Sequence, residues 1–173
     1  MEMKRNTTKT VAFLGLCAAL SLLLSYVEVL LPPIYAAVPG IKLGLPNVIL
    51  LYLLYTAGVR SAAPVSLIRL CIASLLFGNV MTFAYSAAGA ALSMLVMCIL
   101  KRTGWLSEVG VSVAGGVSHN LGQILVAVLL LDTPQIAYYM IVLAFTGTLS
   151  GIFIGLCAAY LIRRLPHEKL FKF

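Results

Sequence analysis

The chain has 173 residues, of which 62% are hydrophobic and 10% charged, with a formal net charge of +7. Soluble domains hold about 45–50% apolar and about 25% charged residues, so a mean hydropathy of +1.07 excludes an ordinary water-soluble enzyme. The basic residues sit in short clusters between apolar segments, as in membrane proteins, and not along one stripe as in nucleic-acid-binding domains.

Six apolar segments follow one another, each read as a helix: about 8–31, 46–58, 61–77, 81–100, 109–131 and 135–162. A spanning helix needs about 20 residues, so the expectation is one all-α transmembrane domain over residues 1–173, an integral membrane bundle of six helices. The basic start, Met1 to Lys9, resembles a signal peptide. However, the apolar run Val11–Leu31 is too long for one, and Pro32-Pro33 offers no cleavage site, so the segment is read as a retained first helix.

Between segments one and two lies Pro39-Gly40-Ile41-Lys42-Leu43-Gly44-Leu45-Pro46-Asn47. Proline lacks an N–H and glycine favours non-helical backbone, so no regular helix crosses this run. In a membrane protein broken backbone is tolerated where protein or a wet cavity satisfies it. The run is therefore either a surface loop or the lip of a binding cavity. Segment two is short for a span and is expected to be tilted, partly unwound or paired with this run.

With the N-terminus inside, Lys4, Arg5, Lys9, Arg60, Lys101, Arg102, Arg163, Arg164, Lys169 and Lys172 all fall on the cytoplasmic side, and Lys42 alone falls outside. This bias predicts an even number of crossings with both termini cytoplasmic. Trp105 then lies at the inner interface and Tyr138 and Tyr139 at the outer one.

Small residues recur at helical spacing: Gly147, Gly151, Gly155 and Ala159 in segment six, Ala12, Gly15 and Ala19 in segment one, and Ala84, Ala88 and Ala87, Ala91 in segment four. Such residues let backbones approach closely where lipid offers no hydrophobic drive. The segment-six groove suits packing within the bundle. The segment-one stripe suits either packing or docking onto another membrane protein. Cys17, Cys71, Cys98 and Cys157 all fall in apolar segments without a CxxC pattern or a paired histidine, and read as small hydrophobes, with no metal site expected.

Few polar side chains are placed inside the segments. Arg69 lies nine residues past Arg60, about 13 Å deep, and His119 eleven past Glu108, about 16 Å deep. Gln123 follows His119 by one turn on the same face, with Asn120 beside it, while Gly115, Gly116 and Gly122 keep that helix thin. A midplane arginine costs about 2.5–3.5 kcal/mol even on the mild insertion scale, so it must face the interior. Two readings follow. Arg69 is held in an internal network with carbonyls, Asn120 or Gln123, or Arg69, His119, Asn120 and Gln123 line a cavity for a polar or anionic small molecule. Glu28 either pairs with Lys42 to close the outer loop or is a solvated helix-end charge.

The five acids, Glu2, Glu28, Glu108, Asp132 and Glu168, are dispersed. No DDxxD-like cluster is present to hold magnesium, nor a Walker A, GxSxG or HExxH pattern. The chain is read as not an enzyme, needing no cofactor and unable to hydrolyse ATP itself.

The runs Ser25-Tyr26-Val27-Glu28, Pro39–Asn47, Ser66-Leu67-Ile68-Arg69, Phe83-Ala84-Tyr85-Ser86-Ala87-Ala88-Gly89 and Gly115-Gly116-Val117-Ser118-His119-Asn120-Leu121-Gly122-Gln123 together resemble the Gx transporter family. Its members are often labelled heptaprenyl diphosphate synthase component I and are similar to the substrate-binding S components of energy-coupling-factor (ECF) transporters. The resemblance covers nearly the whole chain. It implies a six-helix S-component fold in a bacterial inner membrane, with an outward-opening cavity partly covered by the loop after helix one. Lys42 and Asn47 would meet the ligand at the lid, with Glu28, Gly40 and Gly44 shaping it, and Arg69, His119, Asn120 and Gln123 below. The implied partners are a transmembrane coupling subunit and two cytoplasmic ATPases, docked through Ala12, Gly15, Ala18 and Ala19. Gly15 and Ala19 supply a GxxxA version of the family's AxxxA pattern.

The synthase label points to a second reading, a non-catalytic membrane component of prenyl diphosphate synthesis. A third is a structural partner in a membrane redox complex.

Overall fold

A computed structural model describes residues 2–30, 44–132 and 134–165. Helices stand at all six predicted segments: α1 (Glu2–Leu30), α2 (Asn47–Thr56), α3 (Val59–Phe77), α4 (Val80–Thr103), α5 (Glu108–Leu131) and α6 (Met140–Arg164). The sixth segment differs in detail, because a 3-10 turn over Pro134–Tyr139 precedes α6. Five of the helices are long and apolar enough to cross a membrane. The exception is α2, whose ten residues reach only about 15 Å.

Local chemistry sets several of the ends. Asn79 caps α4 by accepting from the Thr82 N–H at 2.8 Å, and Ser107 caps α5 by accepting from the Gly110 N–H at 3.3 Å, with Glu108 in that first turn. Gly104 takes the left-handed conformation that closes α4.

Around the central axis the neighbours run α3, α4, α5, α6, α2 and back to α3, while α1 lies against α3 and α2. The tightest part is α4–α5–α6. A Cβ added at Gly116 would lie 2.7 Å from the Gly147 carbonyl oxygen, and one at Gly151 would lie 2.6 Å from the Val113 Cα. The Gly147–Gly151–Gly155 groove of α6 is thus filled by α5, as packing within the bundle requires. Gly89 and Gly122 bring α4 and α5 together in the same way.

The core sits around α2. Leu50 to Leu54 are all buried, Leu53 completely at 0% exposure, as expected of a helix apolar on every side. Cys17 of α1, Ala62 and Val65 of α3, Met97 of α4 and Ala158 of α6 pack around it. The α2 C-terminus is closed by Lys101, which donates to the Leu54 carbonyl while its ammonium lies 5.1 Å from the Tyr55 ring centre. A cation there complements the negative end of the helix dipole. It also sets the α4 C-terminus, with Arg102, beside the α2–α3 junction and Arg60. The outer surface is apolar along most of its length, with Leu16, Leu75, Ile141 and Phe153 among the exposed residues. All four cysteines are free thiols.

Candidate functional site

Inside the ring lies a cavity to which every one of the six helices contributes lining residues. Its volume is about 110 Å³, below the about 300–1,000 Å³ of sites for drug-sized ligands. Of the residues expected to meet a ligand, Asn47, Arg69, His119, Asn120 and Gln123 all line it, as do Glu28 and Gly44. Lys42 and Gly40 lie outside the described residues.

Arg69 projects from α3 between α1 and the void. Its guanidinium makes one long hydrogen bond, Nη1 donating to Ser25 Oγ at 3.5 Å. Ser25 in turn donates back to the Ser21 carbonyl at 3.0 Å. Arg69 Nε is buried with no partner. Among the described residues no hydrogen bond joins Arg69 to Asn120 or Gln123; its one bond leads through Ser25 to the Ser21 carbonyl. A guanidinium offers five donors; here Nη1 is engaged by Ser25 and Nε has no partner.

Glu28, one turn beyond Ser25 on α1, accepts the backbone N–H of Gly44. It is also the acidic group whose field reaches Arg69. Gly44 has φ +75, and a Cβ there would lie 3.0 Å from Asn47 Nδ2 and 3.3 Å from Ile154 Cδ1. Both the left-handed backbone and the close approach select glycine. The turn into α2, with the Asn47 N–H donating to the Gly44 carbonyl at 2.8 Å, thereby places Gly44, Pro46 and Asn47 against the cavity. α2 runs only about 15 Å from its far end to Asn47, so the rim is set well inside the length of the bundle.

On α5 the polar residues have distinct roles. Asn120 donates through Nδ2 to the Leu143 carbonyl of α6 at 2.7 Å, tying α5 to α6 while it lines the void. His119 and Gln123 stand opposite Gly89 of α4, where a Cβ would lie 3.0 Å from His119 Cε1 and 2.9 Å from Gln123 Cγ. Sequence reasoning did not single out a set of cavity hydroxyls, among them Ser74, Ser86, Ser93, Ser112 and Ser150. The available signal was spacing: Ser112 precedes His119, and Ser86 precedes Ser93, by seven residues, two turns on one face.

The small residues of α1 divide. Ala12, Gly15 and Ala19 face outward, and a Cβ on Gly15 would meet nothing within 4 Å. Ala18 is half-buried against the core. Among the described residues no cluster of three His, Cys, Asp or Glu could hold a metal ion.

A model of the family described as heptaprenyl diphosphate synthase component I matches residues 17–161, most of the chain. No curated protein and no solved structure matches it.

Proposed function

The chain belongs to the heptaprenyl diphosphate synthase component I family, and from that premise and the geometry of the cavity we propose that it is the substrate-binding membrane subunit of an ECF-type importer. It captures a small polar or anionic, vitamin-like molecule from outside a bacterial inner membrane. The single observation that carries this reading is Arg69, a cation that lines the cavity and whose buried Nε has no partner. A charge in a low-dielectric site is tolerated when paired and hydrogen-bonded. Glu28 is shared with Gly44, so an anionic ligand completes what Arg69 lacks through charge-assisted hydrogen bonds. His119 and Gln123 add polar contacts from the opposite wall, and Lys42 belongs to the lid.

In this reading α2 is a short helix whose Asn47 end lines a midplane site. Arg60, Lys101, Arg102, Arg163 and Arg164 mark the cytoplasmic side. Transport is driven by a coupling subunit and two ATPases. They dock on the outward face of Ala12, Gly15 and Ala19.

The family's description favours one other reading, a non-catalytic membrane component of heptaprenyl diphosphate synthesis. Affinity purification after gentle extraction from the native membrane separates the two. Co-elution of a membrane coupling subunit with ATPases is the expected result. Co-elution of an Asp-rich prenyl synthase in their place would overturn it in favour of the second reading.

A further inference from the structure

The outer side of α6 is not a uniform apolar surface. Its glycines pack on α5, and on the side turned away from them Phe153, Leu156, Cys157, Tyr160 and Leu161 line an open groove of about 440 Å³. Helical spacing builds the walls: Phe153, Cys157 and Leu161 stand four residues apart in one row, Leu156 and Tyr160 in the next. Phe153 is 55%, Leu156 58% and Tyr160 63% exposed, so more than half of each is left for something outside the chain. The Leu156–Tyr160 row continues, four residues on, to Arg164, whose guanidinium carbon lies 5.7 Å from the Tyr160 ring centre. Arg163 stands beside it in the same last turn and is also exposed. No ion pair to either arginine occurs among the described residues.

The groove's length and its charged end select the occupant. Phe153 lies beside the midpoint of the 25-residue α6. From it to Leu161 is about 12 Å, and Arg164 comes about 4.5 Å later. One leaflet of hydrocarbon is about 15 Å deep, half of a core of about 30 Å. An apolar groove one leaflet long that ends at two cations matches a lipid with an anionic headgroup. A partner helix crossing the membrane would press on the first half of α6 as well, to which the lining residues do not extend. We propose that this groove holds one anionic phospholipid, with an acyl chain along the two rows and its phosphate at Arg163 and Arg164. The Tyr160 ring steadies the Arg164 guanidinium at the groove's end, where it can donate to phosphate oxygens. A zwitterionic lipid fills the groove equally but gains less from the arginines, because its own ammonium offsets the phosphate. The site is separate from the cavity and stands whether or not an anion binds at Arg69.

The test titrates the purified full chain in detergent and counts bound lipid by native mass spectrometry. The probes are dioleoyl phosphatidylglycerol, dioleoyl phosphatidylcholine with the same acyl chains, and glycerophosphoglycerol, the anionic headgroup without chains. The wild type should bind one phosphatidylglycerol about tenfold more tightly than phosphatidylcholine, the preference expected of two basic residues at headgroup level. Arg163→Gln Arg164→Gln should bring that preference to about onefold. Arg60→Gln Arg102→Gln, which removes the same charge from exposed positions on α3 and α4, should keep it. Phe153→Ala Leu156→Ala should weaken both lipids and leave the preference. Equal affinities in the wild type, or a preference lost equally in the Arg60 and Arg102 pair, would overturn the site in favour of a diffuse field. Glycerophosphoglycerol binding as tightly as the lipid would overturn it by showing that the groove takes no part. A dimer dispersed by Phe153→Ala Leu156→Ala would overturn it by assigning the face to a second copy of the chain.

Discussion

Arg69 concentrates the account at the scale of single residues. Its buried Nε and its one 3.5 Å bond to Ser25 mean that removing it takes away a charge the fold satisfies poorly. Arg69→Ala should leave the ligand-free melting temperature nearly unchanged and abolish the ligand-induced rise, because an anion would lose its cation. A structural arginine would instead lower both melting temperatures together. Gly44 yields a second expectation. Its φ of +75 and the 3.0 Å approach to Asn47 make Gly44→Ala cost about 1–2 kcal/mol, read as a lower melting temperature in detergent. Gly58→Ala separates strain from crowding, since its φ is +78 but a Cβ there meets nothing within 4 Å.

Among the elements, the glycines of α5 and α6 and the small residues of α1 look alike in sequence and differ in what they touch. Gly151→Val would drive a side chain into the Val113 backbone 2.6 Å away and should destabilise the bundle by about 1–3 kcal/mol or more. Gly15→Val points into open space and should leave the melting temperature of the isolated chain unchanged, while reducing recovery of a coupling subunit in pull-downs. Equal destabilisation by the two would show that α1 packs inward after all. The positions of the helices were legible because apolar runs and basic clusters alternate along the chain. The start of α6 was less so, since Pro134-Gln135 begins a 3-10 turn that hydropathy cannot distinguish from helix. The short α2 was readable as short, but its place at the centre of the core depends on neighbours distant in sequence. Arg69, His119 and Gln123 could be read as cavity residues because charge and amide groups inside apolar helices are costly. Ser93 and Ser112, which line the same cavity, could not, because a serine in a helix ordinarily satisfies itself on its own backbone.

For the whole molecule, a ring of five helices with α1 against its side encloses a void with a cation on one wall and serines at its depth. Nothing in the sequence supplies an energy source or a magnesium-holding acid cluster. In the proposed reading the molecule captures a solute and delivers it to a partner. The central claim is that an anionic small molecule occupies this void in the native membrane. Native mass spectrometry of the chain extracted gently from that membrane, wild type beside Arg69→Ala, tests it most directly. The account predicts a stoichiometric small anion on the wild type and its loss from the folded variant. An empty wild-type chain, or a ligand retained equally by both, would contradict it.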